Sequence, residues 1–192
     1  MGYGISGGEG FIWVCLPYLN NAGTANVTKW WGNAPKYDVG PTVAYCKKSV
    51  PWICKEYGGD PKRIVLCGFS RGAIACNFIG LYDDEIAKLW RAIIPYSHSD
   101  GVNERWGYPG ADRQSALKRL RRLGDRPQFI CQEGSTGRTN LDATQKYLTG
   151  TRIKGRFTFQ LTGFRKHNDA WLLRPSPARS ELRKWLWKSL VD

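Results

Sequence analysis

Five short apolar runs, separated by stretches with helical spacing, organise this chain from end to end, and that alternation restricts the folds open to it. The runs are Phe11–Leu16 (FIWVCL), Arg63–Cys67 (RIVLC), Ala92–Tyr96 (AIIPY), Gln128–Cys131 and Arg156–Leu161 (RFTFQL). They are short and bounded by turn residues, as in strands buried on both faces. Between them, Pro41–Tyr57 places Val43, Val50, Ile53, Cys54 and Tyr57 near helical spacing, with Pro51 expected to kink or split the helix. Arg71–Gly80, Asp83–Trp90, Asp112–Leu123, Asn140–Leu148 and Ala178–Leu190 read as further helices, Asp112 serving as an N-cap. Asn20–Gly40, rich in Asn, Gly and Pro, reads as a long surface loop. Such alternation predicts an α/β fold, a mostly parallel sheet of about five strands flanked by helices. Residues 1–192 read as one domain. In sheets of this kind, sites form at the carboxyl ends of the strands.

The second run leads directly into Gly68-Phe69-Ser70-Arg71-Gly72, which fits G-x-S-x-G, and a helix opens at once. A serine on a sharp strand-to-helix turn stands clear of the sheet and is placed to act as a nucleophile. Gly68 and Gly72 supply the small residues that let neighbouring backbone approach. The Arg71 N–H, at the helix N-terminus, is then placed to stabilise a developing oxyanion. The chain has two His. His167 follows the fifth run, in Thr162-Gly163-Phe164-Arg165-Lys166-His167-Asn168-Asp169, where a loop at the carboxyl edge puts a general base. His98 follows the third run, too early for the order Ser, acid, His.

Charge and cysteines bear on what else the chain does. The net charge is +13, with Arg and Lys concentrated in the second half. No nucleic-acid module signature accompanies them, so the charge reads as a solvated basic surface rather than a nucleic-acid site. The six Cys (15, 46, 54, 67, 76 and 131) lie mostly in apolar runs and read as buried free thiols. Their spacing offers no zinc site, so no metal is expected. No stretch is long and apolar enough to span a membrane. Met1–Gly10 is Gly-rich and lacks the basic start of a secretory leader, a pattern shared by cytoplasmic and processed secreted proteins.

The lead-in Tyr57–Arg63 (YGGDPKR), the GFSRG turn and the terminal HNDAW followed by a helix resemble the α/β-hydrolase superfamily. The likeness runs from about Phe11 to Leu190, and is to esterase-like members such as polyester depolymerases, feruloyl esterases and dienelactone-hydrolase-type enzymes. It implies a serine esterase with a Ser–His–acid triad, no metal or organic cofactor, and a small-molecule or polymer-linked ester substrate, including esters of carbohydrates or plant-wall acids. The acid has two candidates. Glu133 is the carboxylate nearest the place the superfamily uses, where Ser135, Thr136 and Gly137 stand instead of the familiar Asp; Asp100 follows the preceding strand, as in some members. Asp142 and Asp169 are weaker candidates. The second oxyanion donor normally comes from a strand and loop ahead of the strand before the serine turn, and this sequence, which starts ten residues before FIWVCL, is expected to lack them. Gly2–Gly10 is either a remnant of that loop or a loose start, and a catalytically weak binding protein is the alternative reading. Trp30, Trp31, Tyr37, Trp106 and Tyr108 fall in segments read as loops near strand ends, where they line a cleft or cover the core.

Overall fold

In a computed structural model, which describes residues 1–134 and 140–191, the chain forms an α/β fold. A small antiparallel pair, β1 (Tyr18–Leu19) and β2 (Asn26–Val27), precedes the main sheet. The main sheet comprises β3 (Val65–Phe69), β4 (Ala92–Tyr96), β5 (Pro127–Gln132) and β6 (Arg156–Leu161), all parallel and in sequential order. The helices are α1 (Gly2–Ser6), α2 (Gly40–Tyr57), α3 (Arg71–Phe78), α4 (Asp84–Ala87), α5 (Arg113–Leu120), α6 (Asn140–Gly150) and α7 (Pro177–Val191). Two 3-10 turns lie at Arg121–Leu123 and Ala170–Leu173. Among the described residues no helix is long and apolar enough to cross a membrane.

The central strands explain the apolar runs. Every residue of β4 and β5 is buried, whereas the edge strands β3 and β6 are only partly covered. Side chains alternate between two cores, as a period of two demands. Ile93 and Ile130 join the core built with Val43 of α2, Ile74 and Phe78 of α3 and Leu120 of α5. Ile94, Tyr96, Phe129 and Cys131 join the opposite core with Ile5 of α1 and Leu182, Leu186 and Leu190 of α7.

Several expectations are corrected. Phe11–Leu16 is not a strand: it has no regular secondary structure, and Ile12, Trp13 and Val14 are about half exposed, at 46, 47 and 50 %. A strand exists only through pairing, and among the described residues no strand pairs with the outer edge of β3, this run included. Its ends pack instead, Phe11 against Trp187 at 5.3 Å between ring centres and Leu16 against the α2–α3 core. Cys15 in this run is consequently exposed, although all six thiols are free. Pro51 does not split its helix: α2 runs unbroken for 18 residues, with Pro51 on its exposed side. Finally, the Asn20–Gly40 loop contains β2, and the second strand lies two residues later than its apolar run.

Helix caps follow the local rules. The Asp112 side chain accepts from the Ser115 N–H at 2.8 Å, as the sequence predicts. Asp83 caps α4, accepting from Glu85 N–H (3.1 Å) and Ile86 N–H (3.0 Å) while pairing with Lys47 of α2 at 2.8 Å. Partial burial pushes its carboxyl up, but the hydrogen bonds from Lys47 and the two amides outweigh that and hold it below the usual carboxylate range. A depressed carboxylate contributes stability above its unfolded value that is lost as pH falls through the folded one. Asp83→Ala is therefore expected to cost about 1 kcal/mol near neutrality and less in acid, measured by urea unfolding at several pH values.

Candidate active site

The carboxyl ends of β3, β4, β5 and β6 converge on one group of side chains. β3 ends at Phe69, and Ser70 turns into α3 with φ 56° and ψ −121°, a conformation that L residues avoid. Such backbone costs about 1–3 kcal/mol and persists only where the surroundings enforce it. Here the Ser70 N–H donates to the Tyr96 carbonyl at 3.0 Å, and the Ala73 N–H donates to the Ser70 carbonyl at 3.0 Å. A Cβ on Gly68 would collide with the Gly72 carbonyl, so the turn requires glycine at 68. Gly72 is met by the Tyr18 hydroxyl, 3.5 Å from where its Cβ would lie. The Arg71 N–H opens α3 and has no carbonyl partner within the helix.

His167 arrives from the loop after β6. Its Nε2 lies 3.0 Å from Ser70 Oγ, and its Nδ1 lies 2.5 Å from Glu133 Oε1. The imidazole packs on the Phe69 ring at 4.7 Å between centres. Glu133 follows β5 directly, and its other oxygen accepts from Gln132 Nε2 at 2.6 Å. The two loops are joined by a continuation of the β5–β6 pairing: Thr162 N–H to the Gln132 carbonyl (2.9 Å), Gly163 N–H to Gly134 (3.0 Å) and Gly134 N–H to Phe164 (2.7 Å). The Tyr96 hydroxyl donates to the Asn168 carbonyl at 2.8 Å and ties the histidine loop to β4.

Asp100 is not brought to His167. It is buried, and Arg119 of α5 holds it through two bonds, Nε to Oδ2 at 2.7 Å and Nη2 to Oδ1 at 3.0 Å. Arg119 also donates to the Gly110 carbonyl at 2.7 Å and lies over the Phe78 ring at 3.9 Å. Burial pushes the Asp100 carboxyl up to about 6, against the opposing pull of Arg119. Asp169 pairs with the N-terminal amine at 3.3 Å, and Asp142 lies on α6. Ser135, Thr136 and Gly137 lie outside the described residues.

The Gly-rich start packs beside the histidine loop, its N-terminal amine pairing with Asp169 and Ile5 sharing a core with Tyr96 and Trp171. Residues Gly2–Ser6 form α1, and the Gly4 carbonyl accepts from Arg183 of α7. The aromatics divide. Trp30 is fully buried and donates from Nε1 to the Arg71 carbonyl at 2.9 Å, so the loop it belongs to braces the Ser70 turn. Tyr108 is buried and stacks on Trp31. The Arg71 guanidinium lies 5.7 Å over Trp31. Trp31 and Tyr37 line a shallow cleft of about 210 Å³ with Phe78 and Tyr82. Trp106 packs on His98, which in turn lies 5.6 Å from the His167 ring. Burial, and then the neighbouring His167, hold His98 below the usual imidazole value, favouring its neutral form. Sequence order set His98 aside, and Gln132 and Ser97 carried no motif; all three lie in the site.

No family model and no curated protein matches the chain. Two solved structures are similar to it in fold. Brefeldin A esterase, a bacterial homologue of human hormone sensitive lipase, shares 13 % identity at a TM-score of 0.48, covering 82 % of this chain and 56 % of that one. The esterase Est22 shares 13 % identity at a TM-score of 0.46, covering 84 % and 57 %. The chain thus spans a little over half the length of each.

Proposed function

We propose that the protein is a serine hydrolase acting on carboxylic esters, with Ser70 as nucleophile, His167 as general base and Glu133 as the acid that orients it. The observation that carries this reading is the unbroken series Ser70 Oγ, His167 Nε2, His167 Nδ1, Glu133 Oε1, with steps of 3.0 and 2.5 Å. With Nδ1–H directed at a carboxylate, Nε2 carries the free lone pair and accepts the Ser70 proton. Ser70 Oγ attacks the ester carbonyl, and the oxyanion develops toward the Arg71 N–H. The imidazolium then protonates the leaving alkoxide, and water, deprotonated by the same nitrogen, releases the acid and restores Ser70. Glu133, with 11 % of its side chain exposed, stabilises the imidazolium at each step.

A fluorophosphonate probe tests the reading at its centre. Stoichiometric labelling at Ser70, lost in Ser70→Ala and in His167→Ala, is expected. Well-folded protein that takes no label would reject the enzyme and leave an α/β-hydrolase-like binding protein.

A further inference from the structure

Ser97 follows the last residue of β4 with φ 89°, the left-handed region that favours glycine. It is 1 % exposed, so its hydroxyl is cut off from water. A buried hydroxyl needs a partner, and among the described residues Ser97 Oγ has one: His167 Nδ1, at 3.2 Å. The strained backbone is held by the Ser97 N–H, which donates to the Cys131 carbonyl at 2.8 Å. Glycine would relieve the strain, but it would remove the hydroxyl.

We infer that Ser97 is a positioning residue for His167. Neutral His167 has a single hydrogen on Nδ1, and Nε2 must stay free to accept from Ser70. Ser97 Oγ and Glu133 Oε1 both lie within reach of that hydrogen. Two acceptors on one N–H favour the Nδ1–H tautomer and define the ring plane from two directions. Glu133, braced by Gln132, approaches Nδ1 from the end of β5, and Ser97 approaches it from the end of β4. The groups facing the imidazole from each neighbouring element are Phe69 and Ser70, Ser97 and His98, and Glu133. Among the described residues, only Ser97 and Glu133 meet Nδ1.

This inference rests on the proposed esterase reading for its catalytic consequence, but its structural half is tested on the resting protein. Two-bond ¹H–¹⁵N correlation reads the tautomers of the chain's two histidines without substrate. In Ser97→Ala and Ser97→Gly, the Nε2–H form of His167 is expected to rise. On a short-chain aryl ester, kcat should fall about 10- to 100-fold with KM unchanged, the usual scale for a misplaced catalytic group. Ser97→Gly should also melt higher than Ser97→Ala, since it relieves the strain. A His167 spectrum in Ser97→Ala identical to the parent's would overturn the inference, whatever the melting temperature or rate. An inactive parent would sink the ester reading and leave the tautomer result standing.

Discussion

Ser70→Ala is expected to lower kcat/KM on a short-chain aryl ester by about 10⁴- to 10⁶-fold, with the protein still folded. His167→Ala should cost a similar factor, and the double variant no more than either single one. Nucleophile and base act as one unit: without the base at 3.0 Å the hydroxyl is a poor nucleophile, and without the hydroxyl the base has no proton to take. Glu133→Gln is the sharper probe of the 2.5 Å contact. An amide in that place can donate to Nδ1 and stabilise the wrong tautomer, so a loss of about 10⁴-fold in kcat is expected. Asp100→Asn, in protein that remains folded, should leave kcat within a few-fold of the parent. The steady-state rates of these variants are the measurement. Unchanged turnover in Ser70→Ala would remove the basis for the esterase, and a larger loss for Asp100→Asn than for Glu133→Gln would reassign the acid.

The largest effect on stability is expected from Arg119→Met, about 3–5 kcal/mol by urea unfolding. The guanidinium supplies both hydrogen bonds to a carboxylate that is 5 % exposed, so its removal strands a buried charge. The pH dependence follows from the Asp100 value of about 6, raised by burial despite Arg119. A carboxyl raised on folding binds its proton more tightly in the native state. Its favourable contribution is therefore present in acid and is lost as pH rises from about 4 through 6. Without Arg119 the value should rise further, so the deficit of Arg119→Met should be small in acid and grow toward neutrality. Replacing both partners, Asp100→Leu with Arg119→Met, should recover much of the loss, because no unpaired charge remains. A deficit independent of pH would mean that the lost packing on Phe78, rather than the stranded carboxylate, dominates.

The site was legible in sequence where its requirements are local. The Ser70 turn needs a strand, a tight glycine-flanked bend and a helix in close succession, and the sixteen residues RIVLC-GFSRG-AIACNF spell all three. Ser97 and Gln132 were not legible, because a serine after AIIPY and a glutamine at the end of PQFICQ look like ordinary strand ends. Their meaning comes from the residues facing them across the sheet.

The four strands of the main sheet, the helices between them, the parallel α/β architecture and the candidacy of Ser70 and His167 were legible in the sequence alone, since hydrophobic period, turn chemistry and chain order act over short spans. Only the tertiary structure decided which carboxylate meets His167. Glu133 does, because the β5–β6 register sets Gln132 opposite Leu161 and carries both following loops to the same end. Asp100 does not, because Arg119, nineteen residues on and on a separate helix, claims it inside the core. The same is true of Phe11–Leu16, whose apolar run reads as a strand but lacks a partner. Pairing and desolvation are properties of neighbours in space, and no local pattern encodes them.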